Sequence, residues 1–416
     1  MFGLACRSGP RAAPLRWSGG GSWCRGGPQL AHEQAEQIPQ PRATGESAAP
    51  VTALAGVREG IGLVAYRSTG DVDAIDEYSR RLVEALGKRG NPASYSPVGL
   101  PPPRRVDLGL AWILVQYNPF SYGRWGVAPG IVRDAIGIRH RLAAPLAVMV
   151  HEGWVRTHDW KSGLMGGYQR MQLRSLSRVA NIVMATGQTL ARELGPDSVY
   201  IPPASNITPV GASFQTARDR LGLGDELVVA LFGRSNPGRA LGYAEAAIDA
   251  IAQVQDPNRL LVFNLGADAP SVYTHPTIRV VRPGRISAEQ LSLHLLASDL
   301  MLLPFTDGLS TRRTTLMAAL AHGLPVLGLR SSATEDMILE RKDVFALTPA
   351  GDQDAYRRVA ANIIKDRGCL RGRGQAGRRL YLEHFDWPHV AARVMSAIES
   401  VPTTVTGARR TGRHGA

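Results

Sequence analysis

The strongest constraint on this chain is a repeated switch in hydrophobic period. Short, near-continuous apolar runs recur at 61–66 (IGLVAY), 111–116 (AWILVQ), 145–150, 181–186 and 198–201. Segments of helical period separate them, at about 74–89, 128–141, 167–179 and 187–194. A strand apolar on both sides must be covered on both faces, and strands separated by helices pair in parallel. The pattern therefore predicts an α/β sheet wrapped by helices, with the proline-containing run 90–105 as a surface loop. A stretch with two adjacent prolines, 202–214, interrupts the alternation. It then restarts, with strands at 227–232, 260–265, 278–281, 299–303 and 325–329. Helices are expected at 240–253, 287–297, 312–321, 353–365, 371–383 and 389–399. Two α/β halves of similar size follow, and ligands of such sheets bind at the carboxyl ends of the strands.

The 416 residues suffice for two or three domains, and 44% hydrophobic content is that of a globular chain. No run reaches the ~18 apolar residues of a membrane span. No amphipathic Arg/aromatic membrane helix is evident in the first half, so membrane association is not indicated and a soluble small acceptor is favoured over a lipid-linked one. Three cysteines, Cys6, Cys24 and Cys369, make neither a disulfide framework nor a zinc site, which points to a reducing, cytoplasmic setting. The net charge of +13 comes almost wholly from arginine, in a chain rich in Ala and Gly. That usage looks like a GC-rich bacterial coding bias. Part of the excess lies in the termini, at Arg7, Arg11, Arg16, Arg25, Arg409, Arg410 and Arg413. With no compact basic helix interleaved with aromatics, nucleic acid is not an expected partner. Residues 1–58 and 401–416 are too polar and Gly/Pro-rich to bury a core and are expected to be disordered.

Chemistry concentrates at strand ends. After the run 299–303 comes PFTDGLSTRRTTLMAALAHGLPVL, residues 304–327. It places Asp307, Gly308, Ser310, Arg312 and Arg313 at a helix start, where free amides and the dipole attract an anion. Two adjacent arginines oppose that dipole unless an anion compensates them; the bland alternative is that Asp307 and Ser310 cap the helix and the arginines are solvated. Gly233, Arg234 and Arg239 form a glycine turn after 227–232, which can present two forked cations to a pyrophosphate or be a plain turn. His151 and Glu152 end the run 145–150, facing the presumed cleft, although a structural histidine reads the same way. Glu335 lies in the loop after 325–329, as a ligand for sugar hydroxyls or as a cap. Arg67 and Asp71 in the first loop, and Tyr117 and Asn118 after the second strand, are candidates for an acceptor pocket. There is no GxSxG elbow, HExxH, CxxC pair, Walker A or GxGxxG turn, so nicotinamide cofactors are disfavoured.

These residues resemble retaining glycosyltransferases of the GT-B fold, close to glycosyltransferase family 4. FGRSNPGRAL resembles that family's G-R-L-x-x-x-K-G turn, with Arg234 at its Arg and Arg239 replacing its Lys. HGLPVLG at 322–328 resembles C-G-L-P-V-I-A, the TED of 334–336 sets Glu335 at the family's later Glu, and His151 resembles its first-half histidine. YNPF at 117–120 with VHE at 150–152 is similar to a bacterial subset. The resemblance covers roughly 60–400. It departs at the family's paired glutamates, whose positions hold Ser310 and Ala318.

The resemblance implies two Rossmann-like doubly wound domains facing a cleft. An acceptor domain over 59–204 would be followed by a linker, 205–215, and a nucleotide-sugar domain over 216–385. A helix at 386–400 would pack back on the first domain. It implies transfer of a sugar, with retention and without a metal or other cofactor, from a nucleotide-sugar to a hydroxyl of a small molecule or glycan. His151, Arg234 and Arg239 would be catalytic. Gly233, Asp307, Gly308, Ser310, Arg312, Arg313 and Glu335 would face the donor; Arg67, Asp71, Tyr117, Asn118 and Glu152 the acceptor. The missing acidic pair leaves two alternatives: an inactive nucleotide-binding or partner subunit of the same fold, or a sugar-nucleotide epimerase.

Overall fold

The structure is a computed structural model that describes residues 60–65, 74–97, 110–142, 144–157, 159–234 and 238–402, all within one compact unit. Arg67, Asp71 and nearly all of both tails lie outside the described residues. The first half runs β1 (Gly60–Ala65), α1 (Ala74–Lys88), β2 (Ala93–Pro97), β3 (Leu110–Tyr117), α2 (Ile131–Leu142), β4 (Leu146–Val150), α3 (Trp160–Val179), β5 (Ile182–Ala185), α4 (Gln188–Leu194) and β6 (Ser198–Tyr200). Its strands form one parallel sheet in the order β2-β1-β3-β4-β5-β6.

The second half runs α5 (Phe214–Arg220), β7 (Leu227–Phe232), α6 (Leu241–Ala252), β8 (Leu260–Leu265), β9 (Arg279–Val281), α7 (Ala288–Leu296), β10 (Leu300–Leu303), α8 (Thr314–Ala321), β11 (Val326–Arg330), α9 (Asp336–Glu340), β12 (Phe345–Pro349), α10 (Gln353–Ile363), α11 (Arg367–His384) and α12 (Trp387–Glu399). The second sheet is also parallel, in the order β12-β11-β10-β7-β8-β9. Strand order reverses between β7 and β10, so connections leave in opposite directions and open a crevice at the carboxyl ends of those two strands.

Alternation along each strand builds the two sides of each sheet. In the first, Leu114 and Met149 pack with Leu82 and Leu86 of α1 and with Val390 and Val394 of α12. Ile113, Val115 and Val148 point the other way, onto Leu173 and Leu176 of α3. Each such fully buried aliphatic side chain contributes about 1.5–3 kcal/mol. Asp386 caps α12, with Trp387 and Pro388 in its first turn, where a missing amide N–H is harmless.

Three expectations need correction. Residues 93–97, read as loop, form β2, and β12 was not anticipated; both are edge strands ending in proline, which an edge tolerates. Helix α3 starts at Trp160 rather than 167, because Asp159 and Ser162 form a reciprocal capping box that offsets the poor propensity of Gly163, Gly166 and Gly167. The added turns leave Trp160 and Leu164 exposed beside Lys161.

Candidate functional site

Two loops meet at the β7–β10 crevice. The Ala240 amide donates to the Pro304 carbonyl at 2.9 Å, the Thr306 amide donates to Gly238, and Arg239 and Phe305 form a short antiparallel bridge. Gly233 sits at φ 120°, where a side chain is strained, and an added Cβ would lie 3.1 Å from Thr315 in the first turn of α8. Glycine here therefore lets the turn and the helix start approach one another.

Arg239 is the chemically unusual residue. It is only 6% exposed, and its Nη1 donates to the Gly233 carbonyl at 3.2 Å. Its Nε and Nη2 have no partner among the described residues. Burial pushes its pKa downward. A buried cation with open N–H groups is costly unless something anionic meets it. Arg313 is the N-cap residue of α8, stacks 3.6 Å from the Phe305 ring centroid, and its Nε has no partner among the described residues. Burial lowers its pKa to about 10, with Asp307 pulling upward and Arg312 downward.

Asp307 holds both arginines: Oδ2 accepts from Arg312 at 2.8 Å and Oδ1 accepts from Arg313. It compensates the paired arginines and keeps part of its surface exposed. Ser310 does not cap α8, since the N-cap position falls three residues later, on Arg313; its buried Oγ has no partner among the described residues. Gly308 is a turn glycine at φ 97°, where an added Cβ would meet Thr334 Oγ1 at 2.3 Å. Arg234 is exposed and pairs with exposed Asp268 at 3.3 Å.

Glu335 does something the sequence did not suggest. Its carboxylate accepts from the Thr311 amide and the Thr311 hydroxyl, both at 2.7 Å, and from the Gln188 backbone amide at the start of α4. Thr311 Oγ1 in turn accepts from the Tyr200 hydroxyl. One buried carboxylate thus joins the two halves, and burial raises its pKa. Thr311, Tyr200 and Gln188 were missed because no local pattern marks them.

On the first-half side, His151 directly follows β4, with Nε2 2.7 Å from Gln116 Oε1 and the Tyr78 ring edge-on at 4.7 Å. Burial lowers its pKa to about 3, so the ring is neutral. The Gln116 oxygen can only accept, which puts the proton on Nε2 and leaves Nδ1 an acceptor. Glu152 keeps open surface, yet it lies deep enough in the concavity for desolvation to raise its pKa, while Arg312 and Arg313 pull it down. It therefore faces the arginine corner. A Cβ added at Gly187 would touch Arg312 from the same side, at 3.4 Å from its Cδ. Tyr117 has no surface for an acceptor: it is fully buried, stacked on Tyr122 and bonded to Gln172 at 3.0 Å. Asn118 accepts from the Phe120 amide and caps the short turn that follows.

No protein-family model matches the chain. It is 20% identical to an MMP alpha-(1->4)-mannosyltransferase of Mycolicibacterium hassiacum, over 72% of this chain and 76% of that relative. Among solved structures, it resembles HepE of Anabaena, solved with UDP and glucose, at TM-score 0.57, 14% identity and coverage of 82% and 99%. It also resembles WaaG, a glycosyltransferase involved in lipopolysaccharide biosynthesis, at TM-score 0.54, 12% identity and coverage of 82% and 100%. A UDP-N-acetylglucosamine 2-epimerase-like protein of Listeria monocytogenes scores 0.51 at 13% identity, covering 82% and 96%. The chain has the GT-B fold, with two parallel α/β sheets.

Proposed function

We propose that this chain is a glycosyltransferase that moves a sugar from a nucleoside diphosphate sugar to an acceptor hydroxyl. The observation that carries the reading is Arg239, a buried guanidinium at the strand-order switch with Nε and Nη2 unpartnered among the described residues. A diphosphate supplies the missing acceptors in a geometry matched to a guanidinium fork. Arg313 and the uncapped start of α8 add positive potential to the same corner. Arg234 leaves an exposed ion pair of small worth to join them. As the sugar–phosphate bond breaks, charge grows on the diphosphate, and cations already fixed in a dry corner stabilise it. Arginine charge takes the part that a metal plays in other transferases, and the anomeric configuration is retained. Neutral His151 accepts a hydroxyl of the transferred sugar at Nδ1, with Glu152 on the acceptor side. The mannosyltransferase relative and the UDP complex of HepE support a nucleoside diphosphate donor.

A second reading, an inactive nucleotide-binding subunit, draws on Ala318: where the family has a glutamate, a fully buried methyl sits in the core of α8. Release of nucleoside diphosphate from a panel of nucleotide-sugars with acceptors separates the readings. Release that depends on acceptor supports transfer. Donor conversion without acceptor identifies an epimerase, and nucleotide binding with neither identifies the inactive subunit.

A further inference from the structure

We propose that Trp387 is a positioning residue for His151, acting through Tyr78, and so ties the cleft histidine to the joint between the two halves. The chain passes between the halves twice, and each passage is short. On the way out, Ala204 is buried in the core of the first sheet and Ile207 packs against the core of the second. Only Ser205 and Asn206 lie between them. On the return, Phe385 is buried in the second core while Trp387 packs on the first, with only Asp386 between.

Ser205 joins the two passages. It is 2% exposed; its amide donates to the Tyr381 hydroxyl of α11 at 3.2 Å, and its carbonyl accepts from Trp387 Nε1 at 2.9 Å. One residue is thus held through its N–H by the second half and through its C=O by the start of α12. The hydrogen bond also fixes the plane of the indole, whose N–H has one direction in which to donate.

From that indole, two ring contacts lead to the cleft. The Trp387 ring lies 5.2 Å from that of Tyr78, with the planes at 58°. Tyr78 in turn meets His151 edge-on, with the planes at 80°. These are separations at which aromatic rings attract one another. A hydrogen bond to Gln116 holds one corner of the imidazole, and the Tyr78 ring supports its tilt. Tyr78 is itself enclosed in the core that α1 and α12 build on the first sheet. A close-packed interior passes a displacement on rather than absorbing it. The Tyr78 hydroxyl has no partner among the described residues, so the ring is the part that makes this contact.

NMR of the full chain with 15N-labelled histidine tests the proposal without any substrate, with His151→Asn assigning the signal. In the wild type the ring is neutral at pH 5, because burial lowers its pKa to about 3. The groups against it, Gln116 and Tyr78, carry no charge, and Glu152 beside it in the chain is drawn by Arg312 and Arg313. Trp387→Leu and Tyr78→Leu should each loosen the ring's packing and raise its midpoint by about one pH unit or more toward the ordinary histidine value. Tyr78→Phe, which keeps the ring, should titrate like the wild type. The double variant Trp387→Leu, Tyr78→Leu should shift no further than either single one, as expected of groups that act through each other. Were Trp387→Leu to misfold, Trp387→Phe keeps a ring, loses the bond to Ser205, and should move the midpoint the same way by a smaller step.

A kinetic arm rests on the proposed transfer reaction. Trp387→Leu should lower kcat about tenfold or more, since small misplacements at a reacting centre are costly. The KM for nucleotide-sugar and the Kd for UDP should stay within about twofold, because the Arg239 corner belongs to the other half. A protein that transfers no sugar would refute the functional reading and leave the NMR arm standing. The positioning itself is overturned by a His151 midpoint that neither Trp387 variant moves, by additive shifts in the double variant, or by a shift with Trp387→Leu that Tyr78→Leu does not reproduce.

Discussion

Replacing Arg239 with Met should make the empty protein more stable and blind to nucleotide. The side chain is nearly enclosed, and two of its three guanidinium nitrogens lack partners among the described residues. Met keeps much of the aliphatic packing and removes a buried charge that lacks a counter-ion. Exchanging poorly compensated buried charge for apolar volume gains about 1–3 kcal/mol. In a chain of this size, that is a rise in Tm of about 2 °C per kcal/mol. The bound state responds in the opposite sense. Two charge-assisted hydrogen bonds to a diphosphate, at about 1.5 kcal/mol or more each, amount to about 3 kcal/mol, a loss of roughly a hundredfold in affinity or more. Differential scanning calorimetry with and without UDP or GDP reads both effects. A nucleotide at a hundred times its Kd stabilises the wild type by about 2.7 kcal/mol, and the variant should show almost none of that shift. The reasoning is refuted if Arg239→Met lowers the Tm of the empty protein while nucleotide still raises it. The guanidinium would then be a structural group with partners of its own.

Other expectations follow from the same geometry. His151 is held neutral, with its pKa lowered to about 3 by burial against an ordinary value of 6.5. The unfolded chain therefore takes up a proton that the folded chain refuses across that window. Stability should be full above about pH 6.5 and fall as pH drops toward 3, by at most about 1.4 kcal/mol per pH unit from this group. His151→Asn should remove one proton's share of that slope in urea titrations from pH 4 to 7, while His322, lowered to about 4, keeps its own. Glu335→Ala should strand the amides of Thr311 and Gln188. A loss of about 2–4 kcal/mol in the absence of any ligand is expected in urea unfolding. A fully stable variant would show that the carboxylate does not join the halves.

The sequence by itself determined the period. Interior strands such as β3, β4, β7 and β8 are contiguous apolar runs because both faces of a parallel sheet are covered, and any reader of hydrophobicity finds them. The strands it concealed, β2 and β12, are the edge strands on one side of each sheet, which pair along one side only and need no long apolar run. The glycine turn and the paired arginines were also legible, since Gly233, Arg239 and Arg313 stand at strand and helix ends fixed by local pattern. Only the tertiary structure decided what each polar group does. Asp307 proved to be engaged by two arginines, Tyr117 to be core, and Glu335 to hold Thr311 and α4 rather than to stand open. Burial and hydrogen bonding of this kind depend on residues far apart in the chain, Glu335 and Gln188 among them, and local sequence carries no record of such distances.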